Sequence, residues 1–291
     1  MNSGVAYFDS HAHLGLLTHS PVPEIMQRAQ QASVFELVTV STSGESWASN
    51  ALYAHTYPRT YYSIGIHPHE SHTYSQWADE FDKHLAQHPA RHKCVAVGEM
   101  GLDYSGKNDH SRASQHAAFL GQLETANKWN LPLIVHCRDA FTDLYALLEK
   151  AGMPKAQGVL HCFTGTLPEA QRGIEMGFFV SFSGIVTFKN AESLKHVALQ
   201  LPSDRILIET DCPYLAPVPF RGKPNEPSLV THTAHFLALA RKEPLEVFAR
   251  QCLANTRKLF QITADPDPIQ DLKPSQRPGC AGGDTLTHKV V

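Results

Sequence analysis

Short apolar runs that each stop at an ionisable residue recur along this chain. Val5-Ala6-Tyr7-Phe8 leads into Asp9, His11 and His13, and the run from Cys94 to Gly98 leads into Glu99. Leu133-Ile134-Val135 leads into His136, Gly158-Val159-Leu160 into His161, and the stretch from Ile206 to Thr210 into Asp211. Short runs rich in β-branched residues are how buried strands read when their carboxyl ends open onto a site. The pattern predicts strands near 5–9, 36–42, 60–66, 93–99, 131–136, 158–162, 177–183 and 206–211. Between and after them, helical periodicity covers 22–33, 46–57, 74–88, 110–130, 140–151, 168–176, 190–200, 228–240 and 244–260.

Strand-then-helix units about thirty residues apart have the length of βαβ crossovers and predict a parallel sheet wrapped by helices. A doubly wound open sheet would gather its ligands at one switch point, whereas these come from strands spread through the whole chain. Closing the sheet sets the first strand beside the last, and so His11 and His13 beside Asp211. The expected fold is therefore α/β, a (β/α)8 TIM barrel in one domain over 1–262; at 291 residues the chain has room for it. Beyond it, Asp265-Pro266-Asp267-Pro268 and the proline- and glycine-rich stretch from Lys273 to Gly283 predict a flexible C-terminal tail over 263–291.

Composition narrows the partners. Hydrophobic residues make up 42 % of the chain, enough for a large core, and 25 Lys and Arg against 28 Asp and Glu give a net charge of −3. No global positive field exists to hold a polyanion, so a nucleic-acid substrate would have to be gripped locally. The N-terminus lacks the basic and apolar regions of a signal peptide, and no window approaches the roughly 18 apolar residues of a membrane span. The expectation is a soluble cytoplasmic protein, with nothing demanding more than a monomer. The 6 cysteines show no Cys-x-x-Cys spacing. Cys137, Cys162 and Cys212 each follow a candidate ligand, and alternation along a strand would turn them outward as reduced packing residues.

The candidate chemistry is metal-assisted hydrolysis. In a strand, residues two apart share a face, so His11 and His13 can grip one cation, with Asp9 on the same face. His11, His13, His136, His161, Glu99 and Asp211 exceed what a four-coordinate mononuclear site needs and suit two divalent cations about 3.5–4 Å apart. We expect one ion on His11, His13 and Asp211, the other on His136 and His161, and Glu99 bridging them; a single zinc with bystander histidines is the alternative. A water between two cations ionises near neutral pH and becomes the nucleophile, with Asp211 able to take its proton. Asp9 and Glu209 are candidates to orient ligand imidazoles through their second nitrogens. Imidazoles favour Zn, Ni or Co, and the carboxylates also admit Mn or Mg.

Ser10-His11-Ala12-His13-Leu14, Gly98-Glu99-Met100-Gly101-Leu102-Asp103-Tyr104, Val135-His136-Cys137-Arg138-Asp139-Ala140, His161-Cys162-Phe163-Thr164-Gly165, the stretch from Glu209 to Pro217 and that from Arg221 to Pro227 together resemble the TatD family of metal-dependent hydrolases. The resemblance runs in order from about residue 7 to 260 and is near to the YjjV-like branch of that family. It implies a TIM barrel of the metal-dependent, amidohydrolase-like type with a divalent-metal site, the ligands named above, and deoxyribonuclease activity, notably 3′-to-5′ removal of nucleotides from single strands. Two positions depart: Pro224 stands where many relatives carry a basic residue, and Met100 replaces a usually small or branched one.

Loops after the strands carry candidates to hold the anion. His67, Arg138 and Arg221 are the substrate-binding candidates, with His69 beside them, while Lys189 and Lys223 read as solvated charges. Tyr104, Phe163, Tyr214 and Phe220 are candidates to stack on an exposed base. Nothing resembles a sequence-specific DNA reader. The partner expected is a single-stranded DNA end or a small phosphodiester. Hydrolysis of an amide, lactone or ester is the alternative that the same ligands allow, and a non-catalytic, metal-stabilised interaction module is the third reading.

Overall fold

Alternation of large apolar and small polar side chains builds the centre of this molecule. The computed structural model describes residues 5–106, 111–152 and 154–263. Its strands are β1 (Tyr7–Ala12), β2 (Val34–Thr39), β3 (Thr60–Ile64), β4 (Cys94–Asp103), β5 (Leu133–Arg138), β6 (Gly158–Leu160), β7 (Phe178–Phe182) and β8 (Ile206–Ile208). They form one 8-stranded parallel sheet in sequence order. The ends of the sheet meet: Ala12 bridges Cys212, the Asp211 N–H donates to the His11 carbonyl at 2.9 Å, and the His13 N–H donates to the Cys212 carbonyl at 2.9 Å.

Helices fall where periodicity predicts them. They are α1 (Val22–Gln31), α2 (Ser46–Thr56), α3 (Tyr74–Gln87), α4 (Arg112–Trp129), α5 (Phe141–Ala151), α6 (Leu167–Glu175), α7 (Glu192–Gln200), α8 (Val230–Arg241) and α9 (Leu245–Leu259). Ser111 caps α4 by accepting the Ser114 N–H, and Glu169 closes the start of α6 by accepting the Thr166 N–H at 2.7 Å. Among the described residues no helix is long and apolar enough to cross a membrane. The tail predicted over 263–291 lies, apart from Thr263, outside the described residues, as does Cys280.

One residue from each strand fills the lower barrel: Phe8, Val38, Tyr61, Ala96, Ile134, Val159, Phe179 and Leu207 pack as one cluster that Leu259 and Phe260 close beneath. Two positions further along, the strands present Ser10, Val40, Ser63, Gly98, His136, His161, Ser181 and Glu209. Side chains two apart on a strand share a face, so an apolar floor is followed directly by a mostly polar layer. Ser10 and Ser181 touch through their hydroxyls at 3.2 Å, and Ser63 donates to the Gly98 carbonyl at 2.6 Å, which satisfies buried polar atoms under the site.

Two breaks in strict alternation lie beside the site. Between Asp9 and Ala12, β1 carries one residue more than β2, and β4 carries one more than β5 between Gly98 and Met100, the extra residue there being Glu99. The Glu99 N–H, displaced from that ladder, donates to the Ser41 carbonyl at 2.8 Å. Cys137 and Cys212 are buried among core residues, as packing thiols should be. Cys162 departs from that expectation: it belongs to no core cluster, and its sulfur lies 3.2 Å from the Ser183 hydroxyl, because the chain turns into a left-handed conformation there and is no longer extended (φ 42°).

Candidate metal centre

Glu99 stands at the middle of the site with its two oxygens facing different imidazoles. Oε2 lies 3.4 Å from His11 Nε2 and 3.7 Å from His13 Nε2. Oε1 lies 2.7 Å from His161 Nε2, 3.0 Å from His136 Nδ1 and 3.4 Å from His67 Nε2. Asp211 Oδ1 joins the first group, 3.3 Å from His13 Nε2 and 3.8 Å from His11 Nε2. Within the groups, the His11 and His13 Nε2 atoms are 3.1 Å apart, and His161 Nε2 and His136 Nδ1 are 3.4 Å apart. Donors arranged tetrahedrally at bonds of ~2.1 Å would be spaced by ~3.4 Å, and these separations lie around that value.

Buried partners aim the rings. His13 Nδ1 lies 3.0 Å from the Val40 carbonyl, and His161 Nδ1 lies 3.3 Å from Glu209 Oε1, which also accepts the Cys162 N–H at 2.7 Å. Each contact holds one ring nitrogen and leaves Nε2 to the site. His136 is held the other way round, with Nε2 3.2 Å from Asp103 Oδ2 and Nδ1 turned to Glu99. The same Asp103 oxygen meets His69 Nε2 at 2.9 Å, and its other oxygen accepts the Ser105 N–H at 2.8 Å.

The expectation for Asp9 needs correction. Its carboxylate accepts the Thr210 hydroxyl at 2.6 Å, the Thr210 N–H at 2.9 Å and the His11 backbone N–H at 3.3 Å. It does not reach the His11 ring, whose buried Nδ1 has no hydrogen-bond partner. The extra residue in β1 is the reason, since it turns His11 toward the site out of step with Asp9.

Charge follows this packing. Burial by itself would raise the Glu99 carboxyl, but the surrounding His161, His67, His11 and His136 hold it well below the usual carboxylate range. Burial pushes His67 down to about 4 against the pull of Glu99, which keeps that imidazole neutral at physiological pH. Burial likewise pushes Asp9 up to about 8, even against the hydrogen bonds from Thr210 and His11.

Above the cluster opens a cavity of about 580 Å³, well within the range of small-ligand sites. Arg138 is on its wall. His67 is deeper than a rim residue, beside Glu99 itself. Arg221 does not join the wall: its guanidinium lies over the Phe188 ring, 4.5 Å from the centroid, where the aromatic face competes for the cation. Of the stacking candidates, Phe163 is buried in the core and Tyr104 is tied by its hydroxyl to His116 at 2.7 Å and Asp143 at 2.9 Å. Phe220 packs edge-on against His232, and Tyr214 alone of the four lines the cavity. Asp103 is the residue that sequence reasoning passed over. It falls on Glu99's strand only because β4 continues past two glycines that read as a strand end.

Comparisons with known proteins agree with this geometry. Residues 8–261 match the family described as TatD related DNase. The chain is 38 % identical over 256 residues to the uncharacterized metal-dependent hydrolase YabD of Bacillus subtilis, covering 88 % of this chain and 99 % of that protein. It is 36 % identical over 247 residues to a 3′-5′ ssDNA/RNA exonuclease TatD of Citrobacter rodentium, covering 82 % of this chain and 92 % of that one. Among solved structures, the TatD homolog YjjV of Escherichia coli superimposes with a TM-score of 0.80 at 30 % identity, over 88 % of this chain and 98 % of its own.

Proposed function

The chain belongs to the TatD-related DNase family of metal-dependent hydrolases, and from that premise we propose that it is a phosphodiesterase that removes nucleotides from the 3′ end of single-stranded nucleic acid. The observation that carries the reading is the division of Glu99, with Oε2 turned to His11 and His13 and Oε1 to His136 and His161. A carboxylate so placed is suited to bridge two cations. The first would rest on His11, His13 and Asp211, the second on His136 and His161. Bound there, the ions would supply Lewis acidity, making water a stronger acid and neutralising charge on the phosphoryl group.

The protein's own groups do the positioning. Arg138, on the cavity wall, pairs with a phosphate oxygen, and the neutral His67 beside Glu99 offers a second contact to the same group. Asp211 takes the proton of the attacking water and returns it to the departing sugar oxygen, so that phosphodiester and water give a phosphomonoester and an alcohol. Glu209, Asp103 and the Val40 carbonyl keep the imidazoles from turning during this exchange.

Digestion of a 5′-labelled single-stranded oligonucleotide by metal-reconstituted protein tests the reading, with His136→Ala as control. Progressive shortening from the 3′ end that the substitution abolishes is the expected result. Hydrolysis of lactones or N-acyl compounds under the same conditions, with the oligonucleotide untouched, would replace it.

A further inference from the structure

Most residues lining the cavity are polar. Leu16, Tyr214 and Leu215 form its apolar part, and Leu16 and Tyr214 are left 44 % and 54 % exposed. Both are held by the same local device. The Leu16 N–H donates to the His13 carbonyl at 3.0 Å, and the Tyr214 N–H donates to the Asp211 carbonyl at 3.0 Å. Each is thus fixed by a turn three residues beyond a donor of the first metal group. The Tyr214 carbonyl is further held by the side chain of the fully buried Asn225, and the His13 ring meets the Tyr214 ring edge-on with centroids 6.4 Å apart. A large aromatic kept in water by rigid backbone contacts, directly beside a cluster of ionic donors, is an unfilled contact surface.

The two sides of the cavity therefore ask for different chemistry. Arg138 and His67 suit an anion, while Leu16 and Tyr214 suit a flat apolar body that need offer no hydrogen bonds. Within a nucleotide, phosphate answers the first and only the base answers the second. We propose that Leu16 and Tyr214 form the slot that receives the terminal base of the strand, Tyr214 by stacking and Leu16 by packing. This rests on the nuclease reading above and adds to it the group by which the end is recognised. Stacking tolerates every base, so the slot selects an end that bears a base and imposes no sequence.

The test compares two 5′-labelled oligonucleotides, one ending in an ordinary nucleotide and one in an abasic tetrahydrofuran residue, with the metal-loaded protein. The wild type should show a KM lower by about tenfold for the base-bearing end. Tyr214→Ala should lose most of that preference, Tyr214→Phe should keep it, and Leu16→Ala should fall between. Equal KM values for the two ends in the wild type, or an undiminished preference in Tyr214→Ala, would overturn the slot while hydrolysis itself upheld the nuclease. If neither strand is cut, fluorescence anisotropy of the same strands decides. A base-dependent affinity lost in Tyr214→Ala keeps the slot and removes the nuclease reading, and equal affinities remove both.

Discussion

His161 and Glu209 are coupled below the site. Nδ1 of the imidazole lies 3.3 Å from Glu209 Oε1, and that oxygen also holds the N–H of the next residue, Cys162, at 2.7 Å. One buried carboxylate therefore sets both the ring and the backbone that carries it.

Glu209→Gln should keep the fold, because the amide oxygen still accepts the Cys162 N–H, yet lower affinity for the ion on the His161 side by about 10–100-fold. Competition against a chromophoric chelator measures this. An affinity equal to the wild type's would leave Glu209 with a structural role only.

Replacing Glu99 by Gln removes the negative charge shared by the two donor groups while preserving shape. Metal content at saturation should fall from about two equivalents to about one. Two ions retained at undiminished affinity would contradict the bridging assignment.

Asp211→Asn preserves an oxygen donor but cannot take a proton from water. Turnover at saturating metal should drop by at least about a hundredfold, with circular dichroism little changed. Activity within a few-fold of the wild type would exclude the proton-handling role.

Stability should fall with acid well away from the metal site. His84 accepts or donates at the Tyr62 hydroxyl, 2.8 Å away, and stacks on His88. Burial, reinforced by His88, lowers its pKa to about 4 from 6.5. Between those values the unfolded chain binds the proton and the folded one does not, so stability declines as pH falls through the window. His84→Gln, which can still pair with Tyr62, should show a shallower decline of the urea midpoint from pH 6.5 to 4. An identical slope would place the titration elsewhere.

Asn225 is fully buried and donates to the Thr210 carbonyl at 2.9 Å while its oxygen accepts the Glu226 N–H at 3.0 Å. Asn225→Ala strands these groups and should cost about 2–4 kcal/mol of folding stability by urea denaturation. A loss under about 0.5 kcal/mol would show that the loop finds substitutes.

Much of this architecture can be read from the amino-acid order, since apolar runs ending in His136 and His161 follow the alternation of regular strands. What the order conceals is where alternation slips. Strict alternation sets Asp9 beside the His11 ring, but the additional residue in β1 turns the ring away from it. The pattern ends β4 at Glu99, whereas the strand runs to Asp103, because an irregularity flanked by Gly98 and Gly101 looks like a terminus in one dimension. Arg221 fails as a cavity contact for a different reason. A charged side chain in a loop can choose among partners, and the Phe188 ring that claims it is distant in sequence.

The seam where the barrel closes joins the start of the chain to a segment two hundred residues later, through the bridge from Ala12 to Cys212 and its backbone hydrogen bonds and through the bonds of Asp9 to Thr210. His11 and His13 stand on one side of it and Asp211 on the other. A cation gripped by all three would act as a rivet through that join, so a chelator would be expected to loosen the closure of the cylinder as well as to remove the ion.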